Sequence, residues 1–334
     1  MKNKPTACVL AVMIAASACV LGAAGAPTQN ESRTKPTEAR SITVASHYFG
    51  QYHPNDPRNL KERGRSWDEW ELIKAAKPRF PGHQQPKVPL WGYQEESDPK
   101  VMAQKIAAAA DHGIDAFIFD WYHYNDGPFL DRPVDEDFLK ATNNHRIKFA
   151  FMWANHDWIK NLFPYKKGDP QTVLYPGSVT PESFEKITDH VVLPKQQTDY
   201  NEVRAGYFKY WDQAGKMFNL PFFPNISMGW DPSPRCDQSD TLDNSGYPFI
   251  HTIGDNTPDN LRTALEMTKQ RLLAQPDTAG PRILTINCWN EWTEGSYLEL
   301  DTVNGTKYLE AVQEVFRQED SKQPNTANVP FQRN

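Results

Sequence analysis

Cysteine is scarce: the 334 residues contain four, and Cys8 and Cys19 fall in an apolar N-terminal stretch, leaving Cys236 and Cys288. Two thiols build neither a disulfide framework nor a four-ligand zinc site, although one bridge between them stays open in an oxidising compartment. Basic clusters are absent too. The formal charge is −6, or −8 once Lys2 and Lys4 are set aside, which argues against nucleic acid as a partner. No Gly-rich phosphate loop follows any predicted strand, which counts against an open doubly wound sheet. Beyond the first 26 residues no apolar run is long enough to span a membrane.

What is present begins with a leader. Lys2 and Lys4, then an Ala/Val/Ile/Leu stretch, then Gly22 to Ala26 read as a secretory signal over 1–26. Cleavage is expected near Ala26, or at Gly25 because Pro27 follows. Ala16-Ser-Ala-Cys19 weakly matches a lipobox, so a lipid anchor at Cys19 is the second reading. The expected location is secreted or periplasmic. Residues 27–41 carry almost no apolar surface and read as a disordered linker, and 317–334 as a polar tail. Residues 42–316 are long enough for one domain with a sizeable core.

Within that domain strands alternate with helices. Ile42–Phe49, Ile114–Tyr122, Ile147–Ala154, Phe222–Trp230 and Ile283–Trp289 read as strands. Asp98-Pro99 starts an Ala-rich helix that Gly113 stops, a second helix is expected over Val134–Asn143, and Thr180-Pro181 caps a third to about Val192. Asn201–Asn219, Thr257–Gln275 and Thr306–Phe316 complete the helices. Polar and aromatic residues recur at strand exits, which points to a (β/α)8 TIM-barrel-like domain with its site at the C-terminal face. Only about five strands are clear where a closed barrel needs eight. Thr172–Tyr175 and Val191–Leu193 are weak further candidates, so either some strands are cryptic or the chain lacks part of a barrel.

The most informative stretch is Arg282 to Glu299. Its apolar first half reads as a buried parallel strand. Then Asn290, Glu291, Trp292, Thr293, Glu294 and Gly295 place two carboxylates three residues apart just past the strand end, with Trp289 and Trp292 beside them. Paired acids with aromatic platforms are the composition of a sugar site. Burial and mutual repulsion would raise one carboxyl pKa relative to the other, as acid–base work at neutral pH requires.

Gly113 to Tyr122, Met152-Trp-Ala-Asn155 and Trp289-Asn-Glu-Trp-Thr-Glu-Gly295 resemble glycoside hydrolase family 99-like, or WbsX-type, proteins over roughly 42–316. The resemblance implies a (β/α) barrel related to endo-α-mannosidases, with about two or three βα units missing from the middle of this chain. It implies that Glu291 acts as base at a sugar 2-hydroxyl, which attacks its own anomeric carbon, and that Glu294 acts as general acid and then base. Asn290 would contact the sugar. Trp289, Trp292, Asp120, Trp121, Tyr122, Trp153, Asn155, His156, Tyr48 and Trp230 are further candidate substrate contacts at strand exits. A glycan or polysaccharide is the expected partner, with no cofactor and no metal. His47, His53, His123, His156 and Asp157 keep a metal-dependent hydrolase open as a minor reading, without tight ligand spacing. Two more readings stay open, a WbsX-type glycosyltransferase and a non-catalytic glycan-binding copy.

Overall fold

The computed structural model describes residues 42–317, except 155, 160–162, 171, 178–192, 194 and 218–221. Its centre is a parallel sheet built from β1 (Thr43–Tyr48), β2 (Ala116–Tyr124), β4 (Lys148–Trp153), β8 (Asn225–Ser227) and β10 (Ile283–Asn287), in the order β4-β2-β1-β10-β8. Registers such as Thr43↔Ile283, His47↔Ile118 and Thr285↔Asn225 fix which side chains share a face. β3 (Gly127–Phe129) folds back antiparallel on β2. Outside this sheet, β5 (Trp158–Ile159) pairs antiparallel with β6 (Val173–Tyr175), and β7 (Gln197–Asp199) pairs parallel with β9 (Thr252–Gly254). β11 (Asn290–Glu291) and β12 (Ser296–Tyr297) form a small antiparallel ladder past β10.

Local chemistry sets the helix ends. Helix α3 (Pro99–Asp111) starts where the Asp98 carboxylate accepts from the Lys100 amide, and it turns off at Gly113, whose φ of +91° suits glycine. Helix α4 is Tyr200–Met217. Helix α5 (Pro258–Leu273) is capped by Thr257, and α6 is Lys307–Phe316. The faces of α3, α5 and α6 cover one side of the sheet, where Ile106, Leu265, Leu309 and Val312 join Val44, Phe117, Phe119, Leu284 and Ile286 in the main core. On the other face, β1 and β2 place Ala45 and Ile118, which form a small apolar cluster with Ala116, and the polar His47 and Asp120.

The alternating α/β organisation and parallel sheet agree with a barrel-like domain. Several expected elements differ. Val134–Asn143 is not a regular helix; a π turn at Pro133–Asp137 runs into short 3-10 turns at Phe138–Lys140 and Asn144–Arg146. Thr142, Asn143 and Asn144 are weak helix formers, and the Asn143 side chain bonds the Ala103 carbonyl instead. The strand expected over Phe222–Trp230 shrinks to Asn225–Ser227 because Pro224 has no amide for the ladder. Val173–Tyr175 is a strand, but in the β5–β6 ribbon rather than the central sheet. The polar insertion after β1 holds two short helices that the sequence pattern did not reveal, α1 (Pro57–Arg63), capped by Asp56 and closed by Gly64, and α2 (Trp70–Ala75). The leader, linker, tail, Cys19, the expected helix at 180–192 and residues 191–192 of the last strand candidate lie outside the described residues. Cys236 and Cys288 are both free and buried. Among the described residues no helix is long and apolar enough to cross a membrane, and no cluster of His, Cys, Asp or Glu is arranged to hold a metal ion.

Among the described residues the sheet does not close. β4 pairs only with β2, and Phe149, Phe151 and Trp153 alternate along it on the helix-side face, 43%, 47% and 60% exposed. An apolar sheet edge of this kind promotes association. Phe151→Lys combined with Trp153→Lys is expected to reduce self-association in sedimentation velocity while changing stability by no more than about 0.5 kcal/mol. A large loss of stability would mean that these rings are covered in the folded protein.

Candidate active site

At the end of β10 the Trp289 amide donates to the His47 carbonyl, 2.7 Å away, which ties the motif to β1. Trp292–Glu294 then form one 3-10 turn, closed by Gly295 at φ +64°. A Cβ at Gly295 would meet the Asp231 Cβ at 2.8 Å, so glycine serves both the turn and the close approach. The Asp231 amide bonds the Glu294 carbonyl at 2.6 Å. One tight turn thereby holds both glutamates on the same side.

A buried ionic layer fixes the back of this turn. Glu299 accepts both indole N–H groups, from Trp289 at 2.9 Å and Trp292 at 2.7 Å. Lys105 of α3 binds Glu299 at 2.6 Å and also binds Glu96. Glu96 accepts from the Asn290 amide at 2.9 Å, and Asn290 closes the layer by bonding both the N–H and the C=O of Phe49. Trp292 also stacks on Tyr297 with ring centroids 3.7 Å apart.

In front of the turn lies Arg235, delivered by the 3-10 turn Ser233–Arg235 after β8. Its Nη1 donates to Glu294 Oε1 at 2.6 Å and to the Tyr247 hydroxyl at 2.7 Å. Its Nη2 donates to Glu291 Oε1 at 2.5 Å, and its Nε to the Thr293 hydroxyl at 3.0 Å. Tyr247 donates to the same Glu294 oxygen at 2.9 Å. Phe49 and Phe163 pack against the guanidinium, 5.4 and 4.6 Å from its carbon to the ring centroids.

Glu291 and Glu294 are only 3% and 4% exposed. Burial pushes both carboxyls up. Arg235 pulls both back, Tyr247 also lowers Glu294, and the negative charges of Glu69 and Asp120 raise both again. The net direction is upward, well above the ordinary carboxylate range for Glu291. Each can therefore hold a proton at a pH where a solvated glutamate cannot. Glu291 Oε2 has no hydrogen-bond partner. Neither do the ring nitrogens of His47 or the carboxylate oxygens of Asp120, whose Oδ1 lies 3.7 Å from His47 Nδ1. Burial raises the Asp120 carboxyl as well.

The structure thus brings Glu291, Glu294, Asp120 and Tyr122 to one region, with Tyr122 buried among Phe129, Trp158 and the edge of His156. It does not bring all the expected contacts there. Tyr48 points to the helix side, against Phe117, Phe119 and Lys105. Trp230, Trp289 and Trp292 are packed in cores rather than presented as platforms, and the Asn290 amide is consumed by Phe49 and Glu96. Trp121 is half-buried beside His123 and Phe151. Trp153 lies on the outer edge. His156 stacks on Trp158, and burial lowers its pKa. Asn155 lies outside the described residues. The residues missed are Arg235, Tyr247 and Glu69; His47, named at its strand exit in the metal-dependent reading, lies beside Asp120. Arg235 closes a strand-exit segment, Asp231-Pro-Ser-Pro-Arg235, that carried the right positional cue; nothing local marked Tyr247.

A parallel α/β domain with two buried glutamates just past β10 of its central sheet defines a barrel-like protein with an enclosed acid pair. The model of the family described as Glycosyltransferase WbsX matches residues 44–193 and 172–312, and the chain belongs to that family. Two curated relatives, each named Uncharacterized protein WxcX, come from Xanthomonas campestris pv. campestris strains B100 and ATCC 33913. They are 24% and 23% identical over 360 residues, covering 83% of this chain and 50% of each relative. The chain therefore spans about half the length of the curated relatives it matches. Similar solved structures include the GH99 endo-α-mannosidase from Bacteroides thetaiotaomicron in complex with bis-tris propane, with TM-score 0.45 and 14% identity, covering 84% of this chain and 99% of that one. Another is a glycoside hydrolase-like protein, with TM-score 0.42 and 13% identity, covering 85% and 97%.

Lys105 binds two carboxylates in a dry layer. Lys105→Met should destabilise the fold by about 3–5 kcal/mol, because Glu96 and Glu299 are left facing each other without a cation. Urea unfolding measures this; a loss below about 1 kcal/mol would show that the layer is solvated.

Proposed function

We propose that this chain is an exported glycan-active enzyme that hydrolyses an α-linked glycan with retention of configuration, through Glu291 and Glu294. The carrying observation is that both carboxyls are buried on one guanidinium, with raised pKa values, while Glu291 keeps one oxygen unpartnered. In the first step Glu291 takes the proton of the sugar 2-hydroxyl, that oxygen bonds the anomeric carbon, and the glycosidic bond breaks as Glu294 protonates the leaving oxygen. Water then opens the 1,2-anhydro ring, giving its proton to Glu294 while Glu291 returns the first proton to O2. Arg235 holds both carboxyls in place through this exchange, and Asp120 with His47 offers unsatisfied groups to sugar hydroxyls. The family's description supports an alternative reading, a glycosyltransferase that moves a sugar from an activated donor to an acceptor hydroxyl.

A second reading, non-catalytic glycan binding, is favoured by the near-complete burial of the glutamates, which line neither of two cavities of ≈ 20 and ≈ 220 Å³. Residues 27–334 should be incubated with α-mannan and α-rhamnan panels and assayed for released reducing ends. Glu291→Gln and Glu294→Gln are each expected to cost about 10²- to 10⁴-fold in turnover, with melting temperature unchanged or raised. Glycan binding by calorimetry without any product would support the binding reading instead. Product appearing only with an activated sugar donor would support transfer.

A further inference from the structure

The chain contains the same four-residue pattern twice, Trp67-Asp68-Glu69-Trp70 and Trp289-Asn290-Glu291-Trp292. The fold brings the two copies together. The rings of Trp70 and Trp292 lie 5.8 Å apart, and both glutamates approach the same nitrogen of Arg235, Glu291 at 2.5 Å and Glu69 at 3.6 Å from Nη2.

Glu69 is fully buried, and neither carboxylate oxygen has a hydrogen-bond partner. Its backbone is fixed, with the amide on the Gln51 carbonyl and the carbonyl accepting from Leu72 and Ile73 at the start of α2. An isosteric glutamine would fill the same space and keep those backbone bonds, so packing alone does not call for a charge here. A dry carboxylate without hydrogen bonds is costly to keep. The charged and titratable groups around it are Arg235, Arg63 of α1, Asp68, Tyr52, Glu291 and Glu294.

We propose that Glu69 is a positioning residue of the glycan site, a third buried carboxylate that competes for Arg235 and so keeps a proton on the Glu291–Glu294 pair. This rests on the reading of that pair as the acid–base groups. Three ionised carboxylates around one guanidinium leave an excess of two negative charges in a dry site. Holding a proton on the motif pair relieves part of that excess. Removing the Glu69 charge favours the ionised form of the pair, so the pair gives up its proton at lower pH.

The test needs no substrate. Infrared pH titration of the ligand-free protein follows the C=O stretch of protonated carboxyls, with the pair's bands assigned from Glu291→Gln and Glu294→Gln. In Glu69→Gln the assigned titration should move down by about one pH unit or more. A curve superimposable on wild type overturns the proposal, as does a loss of stability with no movement of the band. If Glu69→Gln does not unfold cooperatively, Glu69→Asp withdraws the charge by one methylene and should give a smaller shift in the same direction; no shift there overturns the proposal equally. With an active glycan, the high-pH limb of kcat/KM should fall by the same amount with KM unchanged. An infrared shift without turnover of any glycan sustains the role of Glu69 and removes the catalytic reading. Turnover with an unmoved band does the reverse.

Discussion

Two glutamates can be sealed beneath aromatic side chains only if something in the same dry space carries positive charge, and here that is the Arg235 guanidinium. It bonds Glu294 through one terminal nitrogen and Glu291 through the other, while its Nε reaches Thr293 of the turn between them. A lysine could not reproduce this, because an ammonium presents one point of charge and no planar fork. The geometry of the acid pair is therefore set from outside the motif, by a residue delivered from β8. Tyr247 adds a second donor to Glu294, which distinguishes the two carboxyls: Glu294 is held by two donors on one oxygen, whereas Glu291 keeps its other oxygen unsatisfied.

Behind the turn, Lys105 performs the same service, one ammonium between two carboxylates. Buried ion pairs of this kind often add little net stability over well-packed apolar residues. What they give here is position. Two indole N–H groups point at Glu299, and the Asn290 amide is spent on Phe49 and Glu96, so the motif has few ways to rotate about β10. The sequence places Trp289, Asn290 and Trp292 beside the glutamates, and their roles there are supporting ones.

Much of this was legible in the sequence. The helix caps at Asp98 and Thr257 read directly from side-chain chemistry, and the buried run before Asn290 from composition. Strand-exit polarity located the acid pair but not the facing of its neighbours, because successive strand residues alternate between faces. His47 and Asp120 share the polar face through the register His47↔Ile118, whereas Tyr48, one residue later, belongs to the helix side. Treating every polar or aromatic residue at a strand exit as part of the site therefore included Tyr48 and passed over His47 as a partner of Asp120. The three-residue strand β9 gives too short a pattern to detect, and Arg235 pairs with Glu291 across 56 positions, a separation that local patterns do not reach.

Among the described residues the sheet edge at β4 and the acid pair are well separated. In the order β4-β2-β1-β10-β8, the acid pair hangs from β10, its back is held by the segment after β1 and by α3, and its cation comes from the turn after β8. The edge at β4, with its exposed rings, lies three strands from β10 and contributes none of these bonds. Most contacts that fix the glutamates, Arg235 and the Lys105 layer are made by β1, β8, β10, α3 and the loops that follow β1, β8 and β10; the exceptions come from the segment after β5, where the Phe163 ring packs on the Arg235 guanidinium and the Tyr165 amide bonds the Arg235 carbonyl. Asp120 and Tyr122 stand on β2, the strand next to β4. The electrostatic core of the acid pair thus gathers around β10, away from the β4 edge.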